Sequence, residues 1–238
     1  MRLDKYLADM NAGTRKELKT AIRRGLVTVD GKAVRDAGFH VTGEETISFD
    51  GEEIGYQAFA YYMLSKPAGV ISATEDRRHK TVLDLLGERH RRDLFPVGRL
   101  DIDTTGLLLI TNDGALAHRL LAPKHHVDKV YRAAVTGAVA ESDILAFAQG
   151  LRLDDGLTAM PAKLRLLGSS PEDDVSFVEI TIHEGKFHQI KRMFEAIGKK
   201  VLTLQRISMG PLVLDKNLPE GAARPLTEEE ISALRSLS

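Results

Sequence analysis

The densest chemistry in the chain lies in Gly98-Arg99-Leu100-Asp101-Ile102-Asp103-Thr104-Thr105-Gly106, where two carboxylates, two hydroxyls and a guanidinium stand between glycines. The apolar run Leu107-Leu108-Leu109-Ile110 follows, closed by Thr111-Asn112-Asp113-Gly114, and reads as a buried strand with a turn after it. Polar groups packed that tightly beside a buried strand are costly unless they form a site. The pattern predicts an active-site loop presenting one carboxylate. A second set is His183-Glu184-Gly185-Lys186-Phe187-His188-Gln189-Ile190-Lys191-Arg192. Val175, Phe177, Ile180 and Ile182 mark a strand before it. Phe187, Ile190, Phe194 and Ile197 predict the buried stripe of a helix that stops at Gly198. His188, Lys191 and Arg192 then fall near the helix start and off the stripe. That is a natural anion site, although a solvated face uses the same residues. A third set, Lys129-Val130-Tyr131, opens a strand running to Val135. Tyr131 fits either a core aromatic or a ring that stacks on an extruded base.

Other elements must hold these sets in place. Ala115 to Leu121 predicts a helix ended by Ala122-Pro123. The adjacent His125-His126 point to opposite sides of an extended chain. No Asp or Glu stands at metal-binding spacing from them, so no metal is expected. Phe59 to Leu64 predicts the first strand of a larger domain. Lys66-Pro67-Ala68-Gly69 is a tight turn, and Val82 to Leu86 a short helical piece. Arg77, Arg78, Lys80, Arg89, Arg91 and Arg92 gather upstream of the carboxylate loop, as a grip on an anionic polymer would.

The front of the chain is a separate piece. Leu3, Tyr6, Leu7 and Met10 predict a first amphipathic helix. Thr14 with Glu17 forms a capping box that starts a second, and Gly25 stops it. Arg15, Lys19 and Arg23 share one face of that helix, with Lys16 and Arg24 beside them, while Leu18, Ala21 and Ile22 turn inward. Residues 12–35 carry seven basic against two acidic groups, a net charge of +5. The stripe suits a phosphate backbone, and equally a solvated face. Val27-Thr28-Val29 and Lys32-Ala33-Val34 around Asp30-Gly31 predict a hairpin. Thr46-Ile47-Ser48-Phe49, among acids, predicts an edge strand of this module, and residues 53–58 a linker.

Composition limits the rest. With 43% apolar and 28% charged residues over 238 positions, the chain can bury a sizeable core. It has no cysteine, which excludes disulfides, thiolate catalysis and Cys-based zinc sites and fits a reducing cytosol. No apolar run approaches the length of a membrane span, so no membrane partner is expected. The net charge of -1 conceals the local basic clusters.

Two resemblances join these pieces. Arg2-Leu3-Asp4-Lys5 opening two helices, then Gly25-Leu26-Val27-Thr28-Val29-Asp30-Gly31-Lys32, resembles the RNA-binding module named after ribosomal protein S-four. Gly98-Arg99-Leu100-Asp101, Lys129-Val130-Tyr131 and Gly185-Lys186-Phe187-His188-Gln189-Ile190-Lys191-Arg192-Met193 resemble the motifs of the RsuA-type pseudouridine synthases. The resemblance spans essentially the whole chain. It implies an α+β architecture: an RNA-binding domain over residues 1–52, a linker over 53–58, and a catalytic domain over 59–238. That catalytic domain would have a mixed, largely antiparallel sheet and a central cleft. The implied activity is isomerisation of a ribosomal RNA uridine to pseudouridine, with no cofactor, by a cytoplasmic monomer. Asp101 would carry the chemistry, either as a covalent nucleophile or by stabilising a glycal-forming step. Tyr131 would stack on the base, and Lys191 would serve as the counter-ion of Asp101. Arg99, Arg15, Lys16, Lys19, Arg23, Arg24, Arg77, Arg78, His188 and Arg192 would bind RNA. Asp103 is read as structural. The segment Ala122-Pro123-Lys124-His125-His126 looks more like the family members acting on uridine 516 of 16S rRNA than those acting on 23S rRNA. A non-catalytic RNA-binding assembly factor would share the basic module but would not need Asp101, Tyr131 and Lys191 together.

Overall fold

The computed structural model describes residues 1–55, 57–87, 91–170 and 172–237. Arg89, one of the upstream basic residues, lies outside them. The chain divides into two compact units. Residues 1–60 with 87–94 form one, and residues 61–86 with 95–238 the other. The first unit thus draws in a short segment that the sequence reading places wholly within the larger domain.

In the first unit α1 (Leu3–Asp9) and α2 (Arg15–Arg24) precede β1 (Val27–Val29), β2 (Lys32–Ala33), β3 (Ile47–Phe49) and β4 (Glu52–Glu53). The Thr14–Glu17 capping box starts α2, and Gly25 ends it in the left-handed conformation. Asp30 (φ 48°) and Gly31 (φ 74°) make the β1–β2 turn in the left-handed region that a two-residue hairpin requires. Leu3, Tyr6, Leu7, Leu18, Ile22, Val27 and Ile47 form the core. β3 is not the expected edge strand. It pairs with both β1 and β4 in the order β2-β1-β3-β4. Glu52 and Glu53 supply the outer ladder, so Glu53 belongs to a strand where the sequence reading began a linker. Two-residue pairing of this kind leaves no periodicity to read.

The second unit is built from β5 (Tyr61–Lys66), β6 (Phe95–Pro96), β7 (Thr105–Thr111), α3 (Gly114–Leu121), β8 (Lys129–Thr136), α4 (Glu141–Gln149), β9 (Lys163–Ser170), β10 (Val175–Ile182), α5 (Gln189–Ala196), β11 (Val201–Met209), β12 (Leu212–Val213), β13 (Ala223–Pro225) and α6 (Glu228–Arg235). Among the described residues its nine strands form one sheet, in the order β13-β5-β7-β11-β8-β10-β9, with β12 on β11 and β6 on β7. The pairing is antiparallel except between β7 and β11, so the sheet is mixed and largely antiparallel. That parallel seam is short, with Gln205 opposite Thr105 and Arg206 opposite Gly106. Gly106 (φ 100°) is required there, because a Cβ would lie 2.3 Å from the Arg206 carbonyl oxygen. The first strand starts at Tyr61 rather than Phe59, which is 46% exposed. Asp113 does more than turn the chain after β7: its side chain accepts from Leu116 N (2.9 Å) and so caps α3. Leu107 and Leu109 face Leu116, Leu120, Met209 and Leu234 in the main core, while Phe147 of α4 packs on Phe194 of α5.

Candidate active site

The carboxylate loop sits just before the β7–β11 seam, and its backbone is tied down from below. Lys66, the last residue of β5, is completely buried. Its Nζ donates to the carbonyls of Pro67 (3.0 Å), Asp101 (3.0 Å) and Thr104 (2.9 Å), with Ile102 further off at 3.4 Å. Ser72 Oγ adds a reciprocal pair, donating to Leu100 O and accepting from Leu100 N, each at 3.0 Å. Gly69 N donates to Ile102 O (2.7 Å). Burial pushes the Lys66 ammonium down to about 8 against the pull of Asp103 and Asp101. The sequence reading saw Lys66 only as part of a turn. Its signal, a cation ending an apolar strand, is intelligible once the loop it holds is in view.

With its main chain held, Asp101 turns its carboxylate toward α5. Lys191 Nζ lies 3.2 Å from Asp101 Oδ2 and 2.6 Å from Asp103 Oδ1, so the two carboxylates share one ammonium. Burial acts against the Lys191 charge, but hydrogen bonds to Asp103 and Asp101 outweigh it and hold its pKa above the ordinary lysine value. The Lys191 hydrogen bond correspondingly lowers that of Asp103. Asp103 is mostly exposed and shares the Lys191 ammonium with Asp101. His188 Nε2 is 3.7 Å from Asp101 Oδ1.

Arg99, Asp101, Tyr131, His188 and Lys191 line one cleft, with Ile182 and Leu204 as its apolar wall. It spans about 420 Å³ when the open solvent at its mouth is counted. Tyr131 is on the buried face of β8, where Lys129, Ala133 and Val135 also point. Lys129 Nζ donates to Val127 O (3.2 Å) and His183 O (3.3 Å), and burial lowers its pKa. The cleft therefore offers a carboxylate, a counter-ion, a phenol and an apolar wall, enough for a flat polar ring and for charge that develops beside it. Thr104 Oγ1, on the same wall, is buried and finds no hydrogen-bond partner among the described residues.

Two expectations about α5 need correction. The helix begins at Gln189, because His188 at its N-cap takes the left-handed conformation (φ 49°, ψ 29°). Phe187 is consequently outside the buried stripe and 76% exposed, while Ile190, Met193 and Phe194 are buried. Arg192 does not line the cleft. It is held by Asp154 (2.5 Å) and Asp155 (2.6 Å), which raise its pKa. Arg77 and Arg78 stand on an exposed loop and are not among the cleft residues. In the other unit Arg15, Lys16, Lys19, Arg23 and Arg24 are all exposed along α2, opposite buried Leu18, Ala21 and Ile22.

Comparison with known proteins bears on both units. The RNA pseudouridylate synthase family model matches residues 60–196, and the S4 domain model matches residues 1–47. An RNA pseudouridine synthase of Bacillus subtilis, itself uncharacterised, is 45% identical over 98% of both chains. The ribosomal small subunit pseudouridine synthase A of Escherichia coli is 41% identical over 98% of this chain and all of its own. The ribosomal large subunit pseudouridine synthase B of Bacillus subtilis is 40% identical over all of this chain and 96% of its own. A crystal structure titled as a pseudouridylate synthase superposes with a TM-score of 0.68 at 38% identity, covering 98% of this chain and 99% of that one.

Proposed function

The chain belongs to the RNA pseudouridylate synthase family, and from that premise we propose that it isomerises a uridine of ribosomal RNA to pseudouridine at the Asp101 cleft. The observation that carries this reading is the Asp101 carboxylate, held over the cleft by a buried Lys66 and met by Lys191 at 3.2 Å. In the reaction the N1–C1′ bond of uridine breaks, the uracil turns within the cleft and C5 bonds to C1′. The C5 proton leaves and N1, freed from the sugar, takes up a proton, so the product is an isomer of the substrate. The target uridine must first leave its stack to reach the carboxylate. Asp101 attacks the nucleoside or stabilises the charge that develops as the glycosidic bond opens. Lys191, shared with Asp103, fixes the direction of the Asp101 carboxylate. Tyr131 presents its ring to the uracil, and Arg99 meets a phosphate at the rim. The exposed basic face of α2 supplies sequence-independent attraction to the RNA backbone.

The preferred substrate is 16S rRNA at uridine 516, supported by the Ala122–His126 segment and by the 41% identical small-subunit relative. The large-subunit relative at 40% gives 23S rRNA a comparable claim. One experiment separates them. Wild type and Asp101→Asn are given 16S and 23S rRNA transcripts tritiated at uridine C5, and tritium release is followed. Release from 16S transcripts that is abolished by Asp101→Asn is the expected result. Release from 23S transcripts alone overturns the choice of substrate, and undiminished turnover by Asp101→Asn overturns the role of Asp101. The proposed setting is the cytoplasm, with the protein acting as a monomer.

A further inference from the structure

Isolated apolar side chains on a surface are ordinary. Phe187 differs in where and how it is held. It is 76% exposed, yet its ring lies parallel to that of His188, with centroids 3.7 Å apart and planes within 19°. His188 in turn reaches to 3.7 Å from the Asp101 carboxylate. The two rings form a short stack leading outward from the carboxylate, at a spacing close to that of stacked bases.

The loop that carries them is fixed in advance. Buried Glu184 accepts from Met160 N (2.8 Å) and Gln189 Nε2 (2.7 Å) and pairs with Lys186 Nζ (3.1 Å). Lys186 N donates to Gln189 Oε1 (2.9 Å), and Lys186 Nζ to Thr158 O (2.8 Å). The left-handed turn at His188 aims Phe187 away from the helix core. A ring exposed on so constrained a loop loses little freedom on capturing a flat partner. Its chain neighbours Lys186 and His188 are polar, which disfavours an apolar protein surface as that partner. A nucleobase, a flat ring with polar edges, fits an aromatic face in such polar surroundings.

Resting on the assignment of the cleft to uridine, we infer that the Phe187–His188 stack is a base-stacking subsite for a nucleobase next to the uridine drawn into the cleft. Phe187 meets the neighbouring base through its free face, and His188 links that stack to the reacting centre. Loss of one base–aromatic stack corresponds to roughly fivefold to a hundred-and-fiftyfold in affinity.

The test compares wild type with Phe187→Ala, Phe187→Leu and Phe187→Trp, using 16S and 23S rRNA transcripts tritiated at uridine C5. Phe187→Ala and Phe187→Leu raise KM about fivefold or more, with the loss falling mainly on KM. Phe187→Trp restores it to near the wild-type value, because any aromatic face stacks. Thermal midpoints of all three stay close to wild type, since the ring is not part of the core. Wild-type KM in Phe187→Leu, or in Phe187→Ala, overturns the subsite while leaving the assignment of the cleft intact. Tritium release by the wild type from neither transcript overturns that assignment, and the subsite with it.

Discussion

Replacing Lys66 with Met separates the stability of the fold from the placement of Asp101. The substitution removes the donor to the carbonyls of Pro67, Asp101 and Thr104. Asp101 O keeps Thr104 N (3.1 Å) and Ile102 O keeps Gly69 N (2.7 Å), so the main loss falls on Pro67 O and Thr104 O. One buried and one half-buried acceptor left weakened cost about 2–4 kcal/mol in total. Against this, the ammonium is itself costly to bury. Its descent from 10.5 to about 8 corresponds to about 3 kcal/mol that the Met variant no longer spends. The two contributions oppose each other, so folded stability near pH 7 changes by less than about 2 kcal/mol. Activity does not share in that cancellation. A carboxylate displaced by about 1 Å costs on the order of a hundredfold in rate. The expected result is therefore a fall in tritium release of about a hundredfold, with a urea midpoint near that of wild type.

The same residue predicts a pH dependence. Because its folded pKa lies below the unfolded value, the unfolded chain holds the proton between about pH 8 and 10.5 while the folded chain does not. The Lys66 contribution to stability therefore rises with pH across that window. Urea titrations at pH 7.5 and 10 should show the rise in wild type relative to Lys66→Met. Activity of Lys66→Met within threefold of wild type would refute the anchoring argument, and a variant that unfolds would refute the cancellation of the two stability contributions.

Other substitutions test other links. Thr104→Val removes a buried hydroxyl that has no partner among the described residues and should raise stability by about 1 kcal/mol, read as a thermal midpoint a few degrees higher; a lower midpoint would show that the hydroxyl is bonded in solution. Gly106→Ala puts a methyl against the Arg206 carbonyl oxygen and should cost about 3 kcal/mol or more in urea unfolding. Neutralising Arg15, Lys19 and Arg23 together to Gln should lower the slope of log K against log salt for rRNA binding by about 2–3, with kcat at saturating RNA little changed. An unaltered slope would make that face of α2 merely solvated.

Much of the scaffold is legible in the chain because its signals are local. The Thr14–Glu17 box, the Asp30-Gly31 turn and the apolar run Leu107–Ile110 each need only a few adjacent residues, and each forms the expected element. The misreadings share one cause. β3 is an interior strand because β4 reaches it across a turn. Phe187 leaves the α5 stripe because the left-handed His188 that follows it holds the start of the helix to Gln189. Neither decision is recorded in hydrophobic spacing.

The carboxylate loop follows the same division. Residue types alone single out Gly98–Gly106 as a place where polar groups crowd a buried strand, and motif resemblance singles out Asp101 within it. Only the folded chain shows that Lys191 serves Asp103 as closely as Asp101, that Arg192 is occupied by Asp154 and Asp155, and that Lys66 holds the loop from beneath. Such contacts join residues far apart in sequence. Their energies come from burial and hydrogen-bond geometry, which exist only once β5, β7 and α5 have packed.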